Sequence, residues 1–210
     1  MAHQTHHHIV RKSIRALILS TAAVVTLSAC AATSTPASIT SPSDENSTQG
    51  QTMMAEYGFE GLDAHQIIDS LDALPVAERS SEYTASIRPD ALVITGADAV
   101  QETIPMPDDE FYVSFAPYID QTHDCFFHSL TTCAGELQNA DIEVSVTDSD
   151  TGEVLVDEAR TTFDNGFVGV WLPRGINASV TIRYEDLVAN TDISTSAEDD
   201  ATCVTTMQLA

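Results

Sequence analysis

In several runs from residue 111 onward, apolar side chains recur at every second position, which is the period of a β-strand and not of a helix. FYVSFAPYI (111–119) alternates large apolar with small or polar residues. IEVSVTD (142–148) does the same, Ser149-Asp150-Thr151-Gly152 turns the chain, and EVLVDEA (153–159) runs back. Two alternating runs joined by such a turn read as a hairpin. FDNGF (163–167) is a second turn, VGVWL (168–172) a strand stopped by Pro173-Arg174-Gly175, and ASVTIRY (178–184) and CVTTMQL (203–209) complete the series. Short strands at this spacing imply a sandwich or a partly closed barrel, in the manner of prealbumin-like or immunoglobulin-like modules. Trp171, inside an apolar strand, is expected in the core.

The preceding stretch has a different period. Ile67, Ile68, Leu71 and Leu74 fall on one face of a helix over 63–74, with Asp63 and Gln66 spaced as a capping box and Pro75 ending it. His65, in its first turn among acids, reads as a surface residue. ALVIT (91–95) is a strand ending at Gly96. The fold class is therefore α+β and mostly β. A small N-terminal α/β part is expected over 56–107 and a β-sandwich-like domain over 108–210.

Residues 1–29 read as an export signal. Arg11, Lys12 and Arg15 precede the apolar run ALILSTAAVVTL (16–27), and Leu27-Ser28-Ala29 leads into Cys30. Twelve residues make a helix of only about 18 Å, too short to span a bilayer. Leu-Ser-Ala-Cys resembles the bacterial lipoprotein box, which implies a lipid on Cys30 and an extracytoplasmic protein anchored to the membrane through it. Residues 31–52 are rich in Ser and Thr with Pro36 and Pro42, and are expected to complete a flexible stalk over 30–55. The chain carries a formal charge of −24. Beyond residue 29 its only cations are Arg79, Arg88, Arg160, Arg174 and Arg183. Such a surface repels phosphate backbones and anionic lipid, which excludes nucleic acid as a partner and leaves the lipid anchor as the membrane link.

Beyond Cys30 three cysteines remain: Cys125, Cys133 and Cys203. An oxidising compartment pairs thiols, but three cannot all pair within one chain. Two of them lie in His123-Asp-Cys125-Phe-Phe-His128-Ser-Leu-Thr-Thr-Cys133, a Cys-x2-His-x4-Cys spacing. On a helix Cys125 and His128 share a face; on a strand His123, Cys125 and Cys133 do. Thiolate with imidazole favours Cu(I) and then Zn. Three readings stay open from spacing alone: a Cys125–Cys133 disulfide with Cys203 buried and idle, a metal site, and a thiol catalyst. His128, between two cysteines, is a stronger ligand candidate than His123. A thioredoxin-like Cys-x-x-Cys is absent, and the chain is expected not to be an enzyme. Phe126 and Phe127 are candidates to shield the site or to fill the core.

Cys125-Phe-Phe-His-Ser-Leu-Thr-Thr-Cys133-Ala-Gly-Glu-Leu137 resembles the signature of the CueP family of periplasmic copper-resistance proteins. So do Phe163-Asp-Asn-Gly-Phe167, Val170-Trp-Leu-Pro-Arg174 and Ala201-Thr-Cys203-Val-Thr-Thr-Met-Gln-Leu209. The likeness is specific over about 123–209 and looser over about 56–122. It implies a copper-binding protein whose ligands are Cys125, Cys133 and Cys203, with His128 inside the matched motif. It further implies that the protein holds or forms Cu(I), takes Cu(II) before reduction, and can pass copper to exported copper enzymes, with a thiol reductant as a further partner. A shared site requires the last strand to pack beside residues 125–133, with the three sulfurs within about 8 Å of a common point.

Overall fold

The computed structural model describes residues 42–210. The expected export signal, Cys30 and the first part of the expected stalk lie outside the described residues. The elements in chain order are α1 (Pro42–Glu56), α2 (Ala64–Asp72), a 3-10 turn (Val76–Glu78), β1 (Tyr83–Ile87), β2 (Ala91–Gly96), β3 (Gln101–Pro105), β4 (Glu110–Phe115), β5 (Asp141–Asp148), β6 (Val154–Thr161), β7 (Val168–Pro173), β8 (Asn177–Tyr184), β9 (Leu187–Ser194) and β10 (Cys203–Val204). The chain is α+β and mostly β. No helix among the described residues is long and apolar enough to cross a membrane.

The strands form three sheets: β1-β2-β3, β10-β4-β7 and β6-β5-β8-β9. The expected hairpin is β5–β6, antiparallel with a register shift between Val146 and Thr147. A first core lies between the sheet of β4 and β7 and the four-stranded sheet, built from Phe111, Val113, Phe115, Val144, Val146, Val170, Leu172, Val180 and Ile182. These are alternate residues of each strand, so the two inner faces of a sandwich meet there.

β4 is buried on both faces. Its odd-numbered residues fill the sandwich core, while Tyr112 joins a second core with Met53, Met54, Phe59, Ile67, Ile68, Leu71, Ile87, Leu92 and Ile94. The middle sheet therefore carries the sandwich on one side and the helices with β1–β3 on the other. α2 begins as its sequence requires: Asp63 Oδ1 accepts from Gln66 N–H at 2.9 Å, and Gln66 Oε1 accepts from Asp63 N–H at 3.1 Å. It buries Ile67, Ile68 and Leu71, and also Asp72.

Several elements differ from expectation. Residues 42–55, expected as coil within the stalk, belong to α1 (Pro42–Glu56), whose Met53 and Met54 are buried in the second core. The run 203–209 pairs regularly only at Cys203 and Val204, in parallel with Ser114 and Phe115 of β4, and then makes a single bridge from Gln208 to Tyr118. Trp171 is half-buried rather than central. Its indole N–H donates to Asp69 at 2.9 Å, and the His65 ring stacks on it at 4.2 Å, so His65 is no plain surface residue.

Candidate metal centre

The segment from Gln121 to Gly135 is neither helix nor strand. It is an irregular loop fastened at several backbone points. Ile87 N–H donates to His128 O at 2.8 Å and Leu130 N–H to Ala85 O at 2.9 Å, so the loop docks on β1. The N–H groups of Thr202 and Cys203 both donate to Phe126 O, at 3.0 and 3.1 Å. Thr202 ties the pieces together, because its hydroxyl accepts from His128 N–H at 3.0 Å and donates to Ile87 O at 2.8 Å. The last strand thus packs beside the 125–133 loop, as a shared site demands. Arg79 Nη1 donates to Cys133 O at 2.7 Å and holds the far end of the loop.

This fastening brings the sequence candidates together. Cys125 Sγ lies 3.5 Å from Cys133 Sγ, in contact but not bonded, since a disulfide spans about 2.05 Å. Cys203 Sγ lies 3.7 Å from His128 Nδ1. Donor atoms of His128, Cys133 and Cys203 all fall within 4.8 Å of one another, and so do those of His123, Cys125 and Cys133. Cys133 belongs to both triangles. Cys133, Cys203 and His128 are buried and Cys125 is half-buried. Phe126 is 54% exposed and Phe127 lies under the guanidinium of Arg88, so neither seals the site. The sealing aromatic is Phe167, fully buried against Cys133 and Cys203, with its ring 4.6 Å from that of His128.

Behind His128 stands Asp72, which the sequence reading did not single out. His128 Nε2 donates to Asp72 Oδ1 at 3.1 Å, which turns Nδ1 toward the sulfurs. Asp72 also accepts from the Tyr112 hydroxyl at 2.5 Å, from Asn165 Nδ2 at 2.9 Å and from Ser114 Oγ at 3.4 Å. The four donors come from three places: β4 gives Tyr112 and Ser114, the 163–167 turn gives Asn165 and the loop gives His128. A readable signal existed, since Asp72 follows Ile68 by four residues and so falls on the apolar face of α2. An acid there must be paired.

The electrostatics follow from these contacts. Burial would push the Asp72 carboxyl up, but the charge and hydrogen bond of His128, with the bonds from Tyr112 and Asn165, leave it below the ordinary carboxylate range. Burial opposes a charged His128; the charge and hydrogen bond of Asp72, and then Cys133, outweigh it and raise the imidazole to about 9. Hydrogen bonds from Cys125 and Cys203, and the neighbouring His128, hold Cys133 far below the usual thiol range against the effect of burial. The donors move the other way: Cys125 is pushed up to about 12 by its bond to Cys133, and Cys203 is raised by its bonds to Cys125 and Cys133 and by burial. These directions favour Cys133 as the thiolate of the cluster, with Cys125 and Cys203 as thiols and a charged His128 beside the Asp72 carboxylate. Soft sulfur donors with one imidazole suit a soft monovalent ion.

Comparisons with known proteins agree with this chemistry. The family described as "Periplasmic copper-binding protein CueP" matches residues 66–208, a span that contains Asp72 and all three thiols. A solved structure described as "Crystal Structure of S.CueP" is 38% identical, with a TM-score of 0.70 over 76% of this chain and 96% of that one. No curated protein matches.

Proposed function

Because the chain belongs to the CueP family of periplasmic copper-binding proteins, we propose that it binds Cu(I) through Cys125, Cys133 and Cys203 with His128, and serves copper resistance or delivery to exported copper enzymes. The observation that carries this reading is the convergence of three sulfurs and an imidazole on Cys133, with His128 held by a buried Asp72. Cu(I) is satisfied by two or three soft donors, and the buried pocket keeps water from competing for it. Binding displaces the thiol protons of Cys125 and Cys203 and the Nδ1 proton of His128, so uptake releases acid. The protein acts by holding and passing copper rather than by turning over a substrate. Cys30, outside the described residues, carries the lipid anchor in this reading, supported by the Leu27-Ser-Ala-Cys30 box.

Formation of Cu(I) from Cu(II) is supported by the 3.5 Å separation of Cys125 and Cys133. Two thiolates that join as a disulfide release two electrons, which reduce two Cu(II) to two Cu(I). A thiol reductant then restores the pair. The same separation favours the second reading, in which Cys125 and Cys133 rest as a structural disulfide and copper has no part.

The test is an anaerobic titration of the reduced chain with Cu(I) against a competing chelator, beside the triple Cys→Ser variant. Uptake near one equivalent that is lost in the variant supports the copper reading. Weak uptake, or uptake unchanged in the variant, returns the cysteines to the disulfide reading.

A further inference from the structure

The cluster contains two overlapping triangles of donors, of which the proposed binding set uses one fully. The inner one, His128-Cys133-Cys203, is wholly buried. The outer one, His123-Cys125-Cys133, lies toward solvent: His123 lines a cleft of about 550 Å³ whose walls include Thr132, Gly135 and Glu136. His123 Nε2 is out of water and has no hydrogen-bond partner. A ring nitrogen left in that condition is costly unless something binds it. The His123 ring also packs edge-on against Phe167, at 6.1 Å, the same side chain that walls His128. Phe167 thus has an imidazole of each triangle against it. The Glu136 carboxylate is fixed at the cleft by accepting from the backbone N–H groups of Ile119, Asp120 and Gln121, and puts a negative charge where a cation would enter.

We propose that His123, Cys125 and Cys133 form a second, outer position for Cu(I), through which the ion enters before it passes to Cys133, His128 and Cys203. This rests on the copper reading above. Cys133 stays bound throughout and serves as the pivot. Copper remains Cu(I) at every stage. Cys125 loses its thiol proton to solvent as its sulfur binds in the outer position. Cys203 then loses its thiol proton and His128 its Nδ1 proton as they join the ion, the imidazole of His123 departs, and Cys125 stays bound to complete the set. Adding one donor before another leaves avoids a bare ion, and contacts of 3.5 to 4.8 Å between neighbouring donors make each exchange a small side-chain movement.

The experiment uses the full reduced chain without oxygen and Cu(I) presented as its complex with a coloured chelator. Cys203→Ser removes the inner position. The variant is expected to keep a weaker Cu(I) whose X-ray absorption shows two sulfur neighbours and one nitrogen. Adding His123→Ala to it is expected to weaken binding a further tenfold or so, a loss of the order caused by disturbing a metal's supporting shell. In the otherwise intact chain, His123→Ala and the near-isosteric His123→Gln are both expected to slow uptake from the chelator. Circular dichroism of each variant confirms the fold. Equal affinities of the single and double variants, with equal uptake rates for the intact chain and both His123 variants, overturn the outer position and send entry elsewhere. Absence of tight binding by the unaltered chain instead overturns the copper reading itself.

Discussion

At the scale of single residues, the centre depends on a carboxylate that never faces the ligands' open side. Asp72 lies at the C-terminal end of α2, where the helix dipole disfavours a negative charge. It is tolerated because four side chains donate to it, one of them a charged imidazole. Asp72→Asn keeps the shape but loses the charge that orients His128, and is expected to weaken Cu(I) binding by about tenfold in chelator competition. The pair also sets a pH window for the metal-free fold. Asp72 is depressed below its ordinary 3.8, so its contribution is present above that value and lost as the pH falls through the folded pKa. His128 is raised from 6.5 to about 9, so its contribution is complete below 6.5 and lost as the pH rises through 9. Thermal unfolding of the reduced, copper-free protein is expected to show the wild type's advantage over His128→Asn at pH 6 and to lose it above pH 9; an advantage that persists there refutes the assignment. The thiols and His128 were legible in the sequence because their types and spacing are chemically unusual. Asp72, Tyr112 and Asn165 were not singled out, because one reads as a helix residue, one as a strand residue and one as a turn residue until the fold brings them together.

At the scale of elements, legibility followed the strength of the local period. α2 and the strands β2, β5, β6, β7 and β8 carry strong alternation or caps and were readable. β3 alternates exposed with half-buried positions, and β9 mixes Asn, Thr and Asp into its run, so neither presents a clear apolar face. α1 is Ser- and Thr-rich, and among its described side chains Met53 and Met54 near its end are the ones buried in the core. Its composition matched that of a stalk. Met53 packs where a Cβ on Gly96 would strike its sulfur. Met53→Ala is expected to cost about 2 kcal/mol or more, read by urea unfolding, if α1 is part of the fold; a free stalk would show no change. Gly169 makes a different kind of contact. It faces Ser114 across β4 and β7, and a Cβ there would run into the Tyr112 hydroxyl. Gly169→Ala is expected to lose about 1–3 kcal/mol from overpacking and to displace Tyr112 from Asp72, visible as a shifted tyrosine absorbance. The parallel pairing of β10 with β4, on which the position of Cys203 depends, leaves no mark in either strand's own pattern.

At the scale of the molecule, the site is assembled from α2, the 121–135 loop, the 163–167 turn and β10. Asp72 and His128 are 56 positions apart, and His128 and Cys203 are 75. Such contacts form only when the whole topology is in place, which is why no local window of sequence could display them. An ion held by His128, Cys133 and Cys203 therefore closes the loops between them as a removable cross-link would. The unfolded chain has no preformed site, so copper is expected to raise the unfolding free energy by about 2.7 kcal/mol when free Cu(I) is at a hundred times its dissociation constant. Melting of the loaded chain with and without chelator measures it, and an unmoved melting temperature contradicts it. On the proposed copper reading, the Thr202 clasp that joins the loop to the last strand works in both directions: the fold grips the ion and the ion staples the fold, so a chain that gives up its copper is expected to return to a looser, more easily degraded form.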